Sequence, residues 1–148
     1  MRNHTAQREI DISQFNNAIP GARILIVSND EAIRNLHEAI FILDGYCVET
    51  TADGVDALGR LTAGDFDLLI IDRNLPGFSG EQLVIALRES GSRIPVVMIV
   101  GSLAKCPLSA QIANEVSAAL PKPVRLADVR PAILTALNSV APRRPSAV

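Results

Sequence analysis

Short apolar runs alternate with helical patterns along the middle of the chain. Residues 23–27 (RILIV) form a continuous, β-branched run, which is typical of a strand covered on both faces. Apolar residues then recur at the helical spacing of three and four positions: Ile33, Leu36, Ile40 and Leu43. This spacing predicts a helix that ends at Gly45, a residue that favours helix termination.

The same alternation continues to residue 138. Further strands are predicted at residues 46–50, 67–72, 95–100 and 118–120. Further helices are predicted at residues 54–63, from a Ser79/Gln82 capping box onward, from near Pro107 to Val116, and from about Asp128 to Asn138 with Pro131 in its first turn. Five strands alternating with helices predict an α/β fold, a doubly wound five-stranded parallel sheet with helices on both faces.

The two ends of the chain differ from this central region. Residues 1–20 are polar and stop at the breaker pair Pro20-Gly21, whereas residues 141–148 are rich in Pro and Arg. We therefore expect a flexible N-terminal arm over residues 1–20, one folded domain over residues 21–140 and a disordered tail over residues 141–148.

Composition narrows the class of protein. A net charge of −2 and an aromatic content of 3% disfavour nucleic-acid binding by phosphate contacts or base stacking. The chain shows neither a secretory signal nor an apolar run of the roughly 20 residues that span a membrane, so we expect a cytoplasmic protein without membrane insertion. Cys47 and Cys106 match no metal-ligand spacing and are expected to be buried, reduced thiols.

Chemically capable residues follow several strands. Asp72 ends the third strand, and Lys122, one of two lysines in the chain, follows the fifth. Because the carboxyl ends of parallel strands meet at one edge of a sheet, we expect the two side chains to share a crevice. Singly, Asp72 is as easily a turn cap and Lys122 a surface charge. Together they indicate a site for an anionic group, most simply phosphoryl.

Residues 23–139 resemble the receiver domain of two-component response regulators. The resemblance is carried by residues 24–27 (ILIV), 67–72 (DLLIID) with Pro76-Gly77 and Gly80, 94–98 (IPVVM), and Lys122-Pro123. It implies a flavodoxin-like three-layer sandwich and a signalling module rather than an enzyme. Only ten residues follow Asn138, so a stand-alone receiver in phosphorelay signal transduction is expected.

The resemblance also implies a role for individual residues. Asp72 would accept the phosphoryl group as an acyl phosphate, and Lys122 would pair with its oxygens. Gly101 and Ser102 would lie against the phosphoryl group. Magnesium would be held by Asp72, by the backbone carbonyl of Asn74 and by Asp30 or Asn29.

The chain departs from the family pattern at four positions. Ser28 and Asn29 stand where receivers have two adjacent acids, so we expect Mg²⁺ to bind weakly or not at all. Val100 replaces a Thr or Ser whose hydroxyl bonds the phosphoryl group, and Ala119 replaces an aromatic ring that changes rotamer on phosphorylation. Val100 and Ala119 are therefore predicted to be degenerate switch positions.

Two interpretations stay open. The chain is either a phosphorylatable receiver or a degenerate pseudo-receiver that acts as a phosphorylation-independent interaction module. A phosphatase with Asp72 as nucleophile is disfavoured because Asn74 stands where a second carboxylate is needed. A flavodoxin-like cofactor-binding protein is also disfavoured, because no phosphate-cradling loop follows the first strand. The expected partners are a histidine kinase or phosphotransfer protein, and a downstream protein that docks on the face of the fourth helix, fifth strand and fifth helix.

Overall fold

A computed structural model describes residues 19–101 and 105–139. The strands are β1 (Arg23–Val27), β2 (Cys47–Thr51), β3 (Leu68–Asp72), β4 (Val96–Val100) and β5 (Ala118–Pro121). The helices are α1 (Glu31–Leu43), α2 (Gly54–Ala63), α3 (Gly80–Glu89), α4 (Ala110–Ala113) and α5 (Leu126–Asn138). The predicted alternation of strands and helices is confirmed.

All strand pairs in the sheet are parallel, and the strand order is β2-β1-β3-β4-β5. The chain runs outward from β1 to β2 and then returns to the other side of β1 to form β3. Ligands of doubly wound sheets bind at this reversal, outside the carboxyl ends of the strands. Val27 pairs with Ile71 there, so the end of β1 lies beside Asp72, the last residue of β3.

Side chains of each strand alternate between two apolar cores. Leu69 and Ile71 belong to the core beneath α2, α3 and α4, and Leu68 and Ile70 belong to the core beneath α1 and α5. Every residue of β3 and β4 is buried, which explains why these strands read as unbroken apolar runs. Asp72 follows the alternation of Leu68 and Ile70 and points to the α1/α5 side of the sheet.

Two helices differ from the prediction. Helix α5 begins at Leu126 rather than near Asp128, because the carbonyl of Arg125 already accepts the amides of Asp128 and Val129; Pro131 is therefore inside the helix and not in its first turn. Helix α4 is only four residues long: it begins at Ala110, with Ser109 as its cap, and ends at Ala113 rather than at Val116. It buries a single side chain, Ile112, which leaves little packing energy to extend it.

The predicted N-terminal arm and tail lie outside the described residues, apart from Ile19 and Pro20 at the end of the arm. Ile19 packs against the α1/α5 core, so the folded part begins before residue 21. The two cysteines are free, but the expectation that they are buried is wrong, since Cys47 lies on the edge strand β2 and Cys106 in the loop before α4. Among the described residues, no helix has the length and apolarity to cross a bilayer.

Candidate functional site

The structure brings Asp72 and Lys122 together. Lys122 Nζ lies 2.9 Å from Asp72 Oδ2, and this contact joins residues that are 50 positions apart in the chain. Strand β5 places the lysine, because the Lys122 amide donates to the carbonyl of Val100 at 2.8 Å and continues the β4–β5 ladder. The peptide bond between Lys122 and Pro123 is cis.

The carboxylate of Asp72 is held in a fixed orientation. Its Oδ1 atom accepts the backbone amide of Asn74 at 3.1 Å, while Oδ2 faces Lys122. The main chain of Asp72 is also closely packed, because a Cβ atom added at Gly80 would lie 2.6 Å from the Asp72 carbonyl oxygen. Glycine at position 80 thus lets α3 begin directly against the end of β3. An anchored carboxylate next to an ammonium can attack a phosphorus atom while the ammonium neutralises phosphoryl charge.

The residues that follow β1 were expected to help hold magnesium, but their side chains make other contacts in the structure. Asp30 is the N-cap of α1, and its Oδ1 atom accepts the amide of Ile33 at 3.1 Å. Ser28 is buried, and its hydroxyl accepts the amide of Asp30 at 3.1 Å. Asn29 and Asn74 are exposed. Asp30 and Asp72 border the same cavity, but each carboxylate already has a hydrogen-bonding partner.

This donor set does not fit a preformed magnesium site. Hard divalent cations are held by carboxylates and carbonyls that are free to coordinate. Within residues 19–101 and 105–139, no group of three or more Asp, Glu, His or Cys side chains is arranged to hold a metal ion. The physical reason is the sequence after β1, where Ser28 and Asn29 offer a hydroxyl and an amide, and the carboxylate of Asp30 caps a helix.

The remaining predicted positions lie at the same edge of the sheet. Val100 is fully buried at the end of β4 and offers no hydroxyl, and Ala119 is half-buried in β5 opposite Met98. Gly101 is exposed, and a Cβ atom there would lie 3.8 Å from the side-chain nitrogen of Asn74. Ser102 falls outside the described residues.

Arg73 is a site residue that sequence reasoning missed. It is 8% exposed, although it directly follows Asp72 at the rim of the sheet. Its guanidinium forms an ion pair with Glu81 of α3 at 3.1 Å and donates to the carbonyls of Cys106 and Pro107. Arg73 therefore fastens both α3 and the loop before α4 to the strand that carries Asp72. A single arginine after a buried strand gave no periodic signal.

His37 is the second residue that the sequence did not single out. It is 4% exposed, stacks near Phe41 with ring centroids 5.5 Å apart, and faces a cavity that Asp72 and Lys122 also border. Burial lowers the pKa of His37 below its ordinary value of 6.5. His37 is not one of the apolar positions that predicted this helix, since it follows Leu36. The one sequence signal for its burial is its spacing of four positions from Phe41.

Comparison with known proteins identifies the family. The model of the response regulator receiver domain matches residues 24–134. Response regulator MprA of Mycobacterium avium (strain 104) is 31% identical over 110 residues, which are 72% of this chain and 47% of that protein. Transcriptional regulatory protein PcoR of Escherichia coli is 36% identical over 77 residues, 52% of this chain and 34% of PcoR. The chain thus spans less than half the length of these curated relatives.

Solved structures share the fold. A CheY-like response regulator receiver domain from Methylobacillus flagellatus superimposes with a TM-score of 0.70 at 26% identity, covering 79% of this chain and 98% of that one. A receiver domain protein from Clostridium thermocellum gives a TM-score of 0.72 at 22% identity, covering 80% and 95%. The response regulator TrrA from Thermotoga maritima, solved in complex with Mg²⁺-BeF, gives 0.68 at 22% identity, covering 76% and 96%.

The family match covers the sheet, the helices and the edge where Asp72 meets Lys122. The chain therefore belongs to the response regulator receiver domains of two-component signalling.

Proposed function

We propose that this receiver accepts a phosphoryl group on Asp72 from a histidine kinase or phosphotransfer protein, as a step in phosphorelay signalling. The observation that supports this most strongly is the 2.9 Å contact between Lys122 Nζ and Asp72 Oδ2 at the carboxyl edge of the sheet. It pairs a nucleophile with a cation able to neutralise the transferred charge.

The proposed step is a single phosphoryl transfer. A carboxylate oxygen of Asp72 forms a bond to phosphorus, and the bond from phosphorus to the donor's nitrogen or oxygen breaks. The donor atom leaves with the bonding electron pair and takes up a proton, and Asp72 becomes an acyl phosphate. No acid–base residue is needed to activate Asp72, because the attacking group is a carboxylate paired with the Lys122 ammonium.

Lys122 provides the electrostatic part of the proposal. Its side chain is 43% exposed, against 8% for the side chain of Asp72. The ammonium can therefore rotate from the carboxylate towards a phosphoryl oxygen, while the amide of Asn74 keeps hold of Asp72. Because the residues after β1 do not form a metal pocket, the proposed transfer relies on Lys122 and on positioning, with Mg²⁺ used weakly or not at all.

Output is proposed to occur by contact with a downstream protein on the face formed by α4, β5 and α5. Ala110 and Arg125 are exposed on this face, and Ala118 and Ala119 are half-buried. Val100 and Ala119 lack the hydroxyl and the aromatic ring expected of a phosphorylation switch. Those two residues favour the second candidate function, an interaction module whose binding does not depend on phosphorylation.

The test is intact-mass spectrometry of the full chain after incubation with phosphoramidate, with and without Mg²⁺. We expect one phosphoryl group per chain in the original protein and none in Asp72→Asn. The matched control is Asp53→Asn, which removes an exposed carboxylate after β2 while keeping a side chain that can cap α2. The absence of an adduct at every Mg²⁺ concentration would favour the interaction module instead.

A further inference from the structure

A cavity of about 450 Å³ lies on the α1/α5 side of the sheet. Its walls are mostly apolar and come from β1, β3, β4, α1 and the segment after β5: Ile26, Ile33, Ile70, Ile99 and Val124. Asp72 and Lys122, the reacting pair of the site described above, also border this cavity. A volume in this range matches pockets that bind small molecules, which are typically apolar with a few polar groups.

One buried polar side chain that faces this cavity has no hydrogen-bond partner among the residues that the structure describes. His37 is 4% exposed and borders the cavity, yet none of the described residues exchanges a hydrogen bond with its imidazole. Burial lowers its pKa, so at neutral pH the ring is uncharged, with one nitrogen donor and one nitrogen acceptor. Buried polar groups are nearly always hydrogen-bonded, and an exception points to a missing partner.

We propose that this cavity binds a small, uncharged, mainly apolar molecule with one hydroxyl or carbonyl oxygen, which hydrogen-bonds to His37. The apolar walls select the body of the ligand, and the imidazole selects its oxygen. An anionic ligand is disfavoured because the walls are mostly apolar, and the cavity is bordered by two carboxylates, Asp30 and Asp72, against one ammonium, Lys122.

This inference goes beyond phosphoryl transfer, because the body of the cavity contributes nothing to an acyl phosphate. A ligand there would nevertheless lie against Asp72 and Lys122, which border the same space. Binding and phosphorylation would then be coupled, each altering the equilibrium of the other by the same factor.

The test uses two matched aromatic probes, 1-naphthol and 1-methylnaphthalene, which differ in a hydroxyl against a methyl group. Affinities are measured on the full chain at pH 7.5 by displacement of the neutral fluorophore N-phenyl-1-naphthylamine. We expect both probes to bind the original protein, with naphthol tighter by about fivefold, the ratio that one net hydrogen bond supplies.

Two variants distinguish binding in the cavity from binding to other apolar surface. Val124→Phe adds volume to the half-buried rim of the cavity, and we expect it to weaken both probes by at least about tenfold. The matched control, Ala127→Phe, adds an exposed ring on α5 away from the cavity and should leave both affinities unchanged.

A third variant tests the hydrogen bond to the imidazole. His37→Phe keeps a ring of similar size and should abolish the preference for naphthol while retaining binding.

Three results would overturn the proposal: no displacement by either probe, affinities in Val124→Phe equal to those of the original protein, or a naphthol preference that survives in His37→Phe. If His37→Phe fails to fold, the comparison of Val124→Phe with Ala127→Phe still decides whether the cavity is the binding site. Probe binding by a protein that takes up no phosphoryl group would contradict the proposed function and not this inference.

Discussion

Lys122 Nζ lies 2.9 Å from Asp72 Oδ2, and the pair joins an almost fully buried carboxylate to an ammonium that is 43% exposed. The asymmetry follows from their positions, since Asp72 ends a central strand and Lys122 follows an edge strand. The carboxylate is held by the amide of Asn74, whereas the lysine has room to move. This arrangement suits a fixed nucleophile with an adjustable counter-charge.

Removal of the charge at Lys122 should slow phosphorylation without moving Asp72. We expect Lys122→Met to lower the initial rate of adduct formation from phosphoramidate by about 100-fold, the usual cost of losing one electrostatic donor to a transferred group. The rate is measured by intact-mass spectrometry over time. Lys105→Met, at the only other lysine of the chain, is the charge-matched control and should keep the original rate. Equal rates in the two variants would refute this role for Lys122.

Close approach of α3 to β3 should make Gly80 intolerant of a side chain. A Cβ atom at Gly80 would lie 2.6 Å from the Asp72 carbonyl oxygen, and backbone on both sides must shift to relieve the overlap. We expect Gly80→Ala to lower the free energy of unfolding by about 1–3 kcal/mol, measured by urea denaturation followed by circular dichroism.

Gly59 provides the control for that substitution. It lies in the exposed face of α2, and an added Cβ atom would meet nothing within 4 Å. Gly59→Ala should therefore raise the free energy of unfolding by about 1 kcal/mol through helix propensity. A Gly80→Ala protein as stable as the original would show that α3 can move away from Asp72 at little cost.

The fold could be predicted from sequence because its strands are buried on both faces. Residues 23–27 were predicted as a strand and form β1 with those bounds, since a buried parallel strand leaves an unbroken apolar run. The capping box of Ser79 and Gln82 is present as predicted, with both reciprocal hydrogen bonds. Helix α4 was predicted too long because its length depends on packing against the rest of the fold, and only Ile112 of this helix is buried.

The candidate site could be predicted only in part. Strand order brings the ends of β3 and β5 to one edge, so topology alone anticipated that Asp72 and Lys122 share a crevice. An Asp directly before a helix is a local signal for an N-cap, so the capping role of Asp30 could be read from the sequence, although the resemblance implied a metal ligand. The burial of Arg73 and of His37, in contrast, depends on side-chain rotamers and on packing between distant elements. No local pattern of residues encodes those features.

An added carboxylate after β1 should create metal affinity that the original donor set lacks. Asn29 is exposed and stands between Ser28 and Asp30, which line the cavity, and its amide is a weaker magnesium ligand than a carboxylate. We expect Asn29→Asp to tighten Mg²⁺ binding by about tenfold in isothermal titration calorimetry. Asn35→Asp adds the same charge on the exposed surface of α1 and should not change the affinity. Equal affinity in both variants would show that residue 29 does not face the site.

Burial of His37 should make stability depend on pH. Its pKa in the folded protein is below the unfolded value of 6.5, so the unfolded chain binds more protons as the pH falls. The stability from neutral, buried His37 is therefore complete above pH 6.5 and decreases as the pH falls through that value. The charged groups that border the same cavity are Asp30, Asp72 and Lys122, and the His37→Phe comparison leaves all three in place.

The comparison for this prediction is His37→Phe. Between pH 7.5 and 5.5 the urea midpoint of the original protein should fall, and that of His37→Phe should fall less. His4 is present in both proteins and cancels in the comparison. Parallel pH profiles would mean that His37 is protonated as readily in the folded protein as in the unfolded chain.

The central claim is that Asp72 itself carries the phosphoryl group. Reduction with sodium borohydride converts an aspartyl phosphate to homoserine, because hydride replaces the phosphate at the acyl carbon and then reduces the resulting aldehyde. Peptide mass spectrometry after phosphoramidate treatment should find homoserine at position 72 and aspartate at every other Asp position, including Asp53 and Asp30. Unmodified aspartate at position 72 in a protein that had gained a phosphoryl group, or homoserine elsewhere, would contradict the assignment.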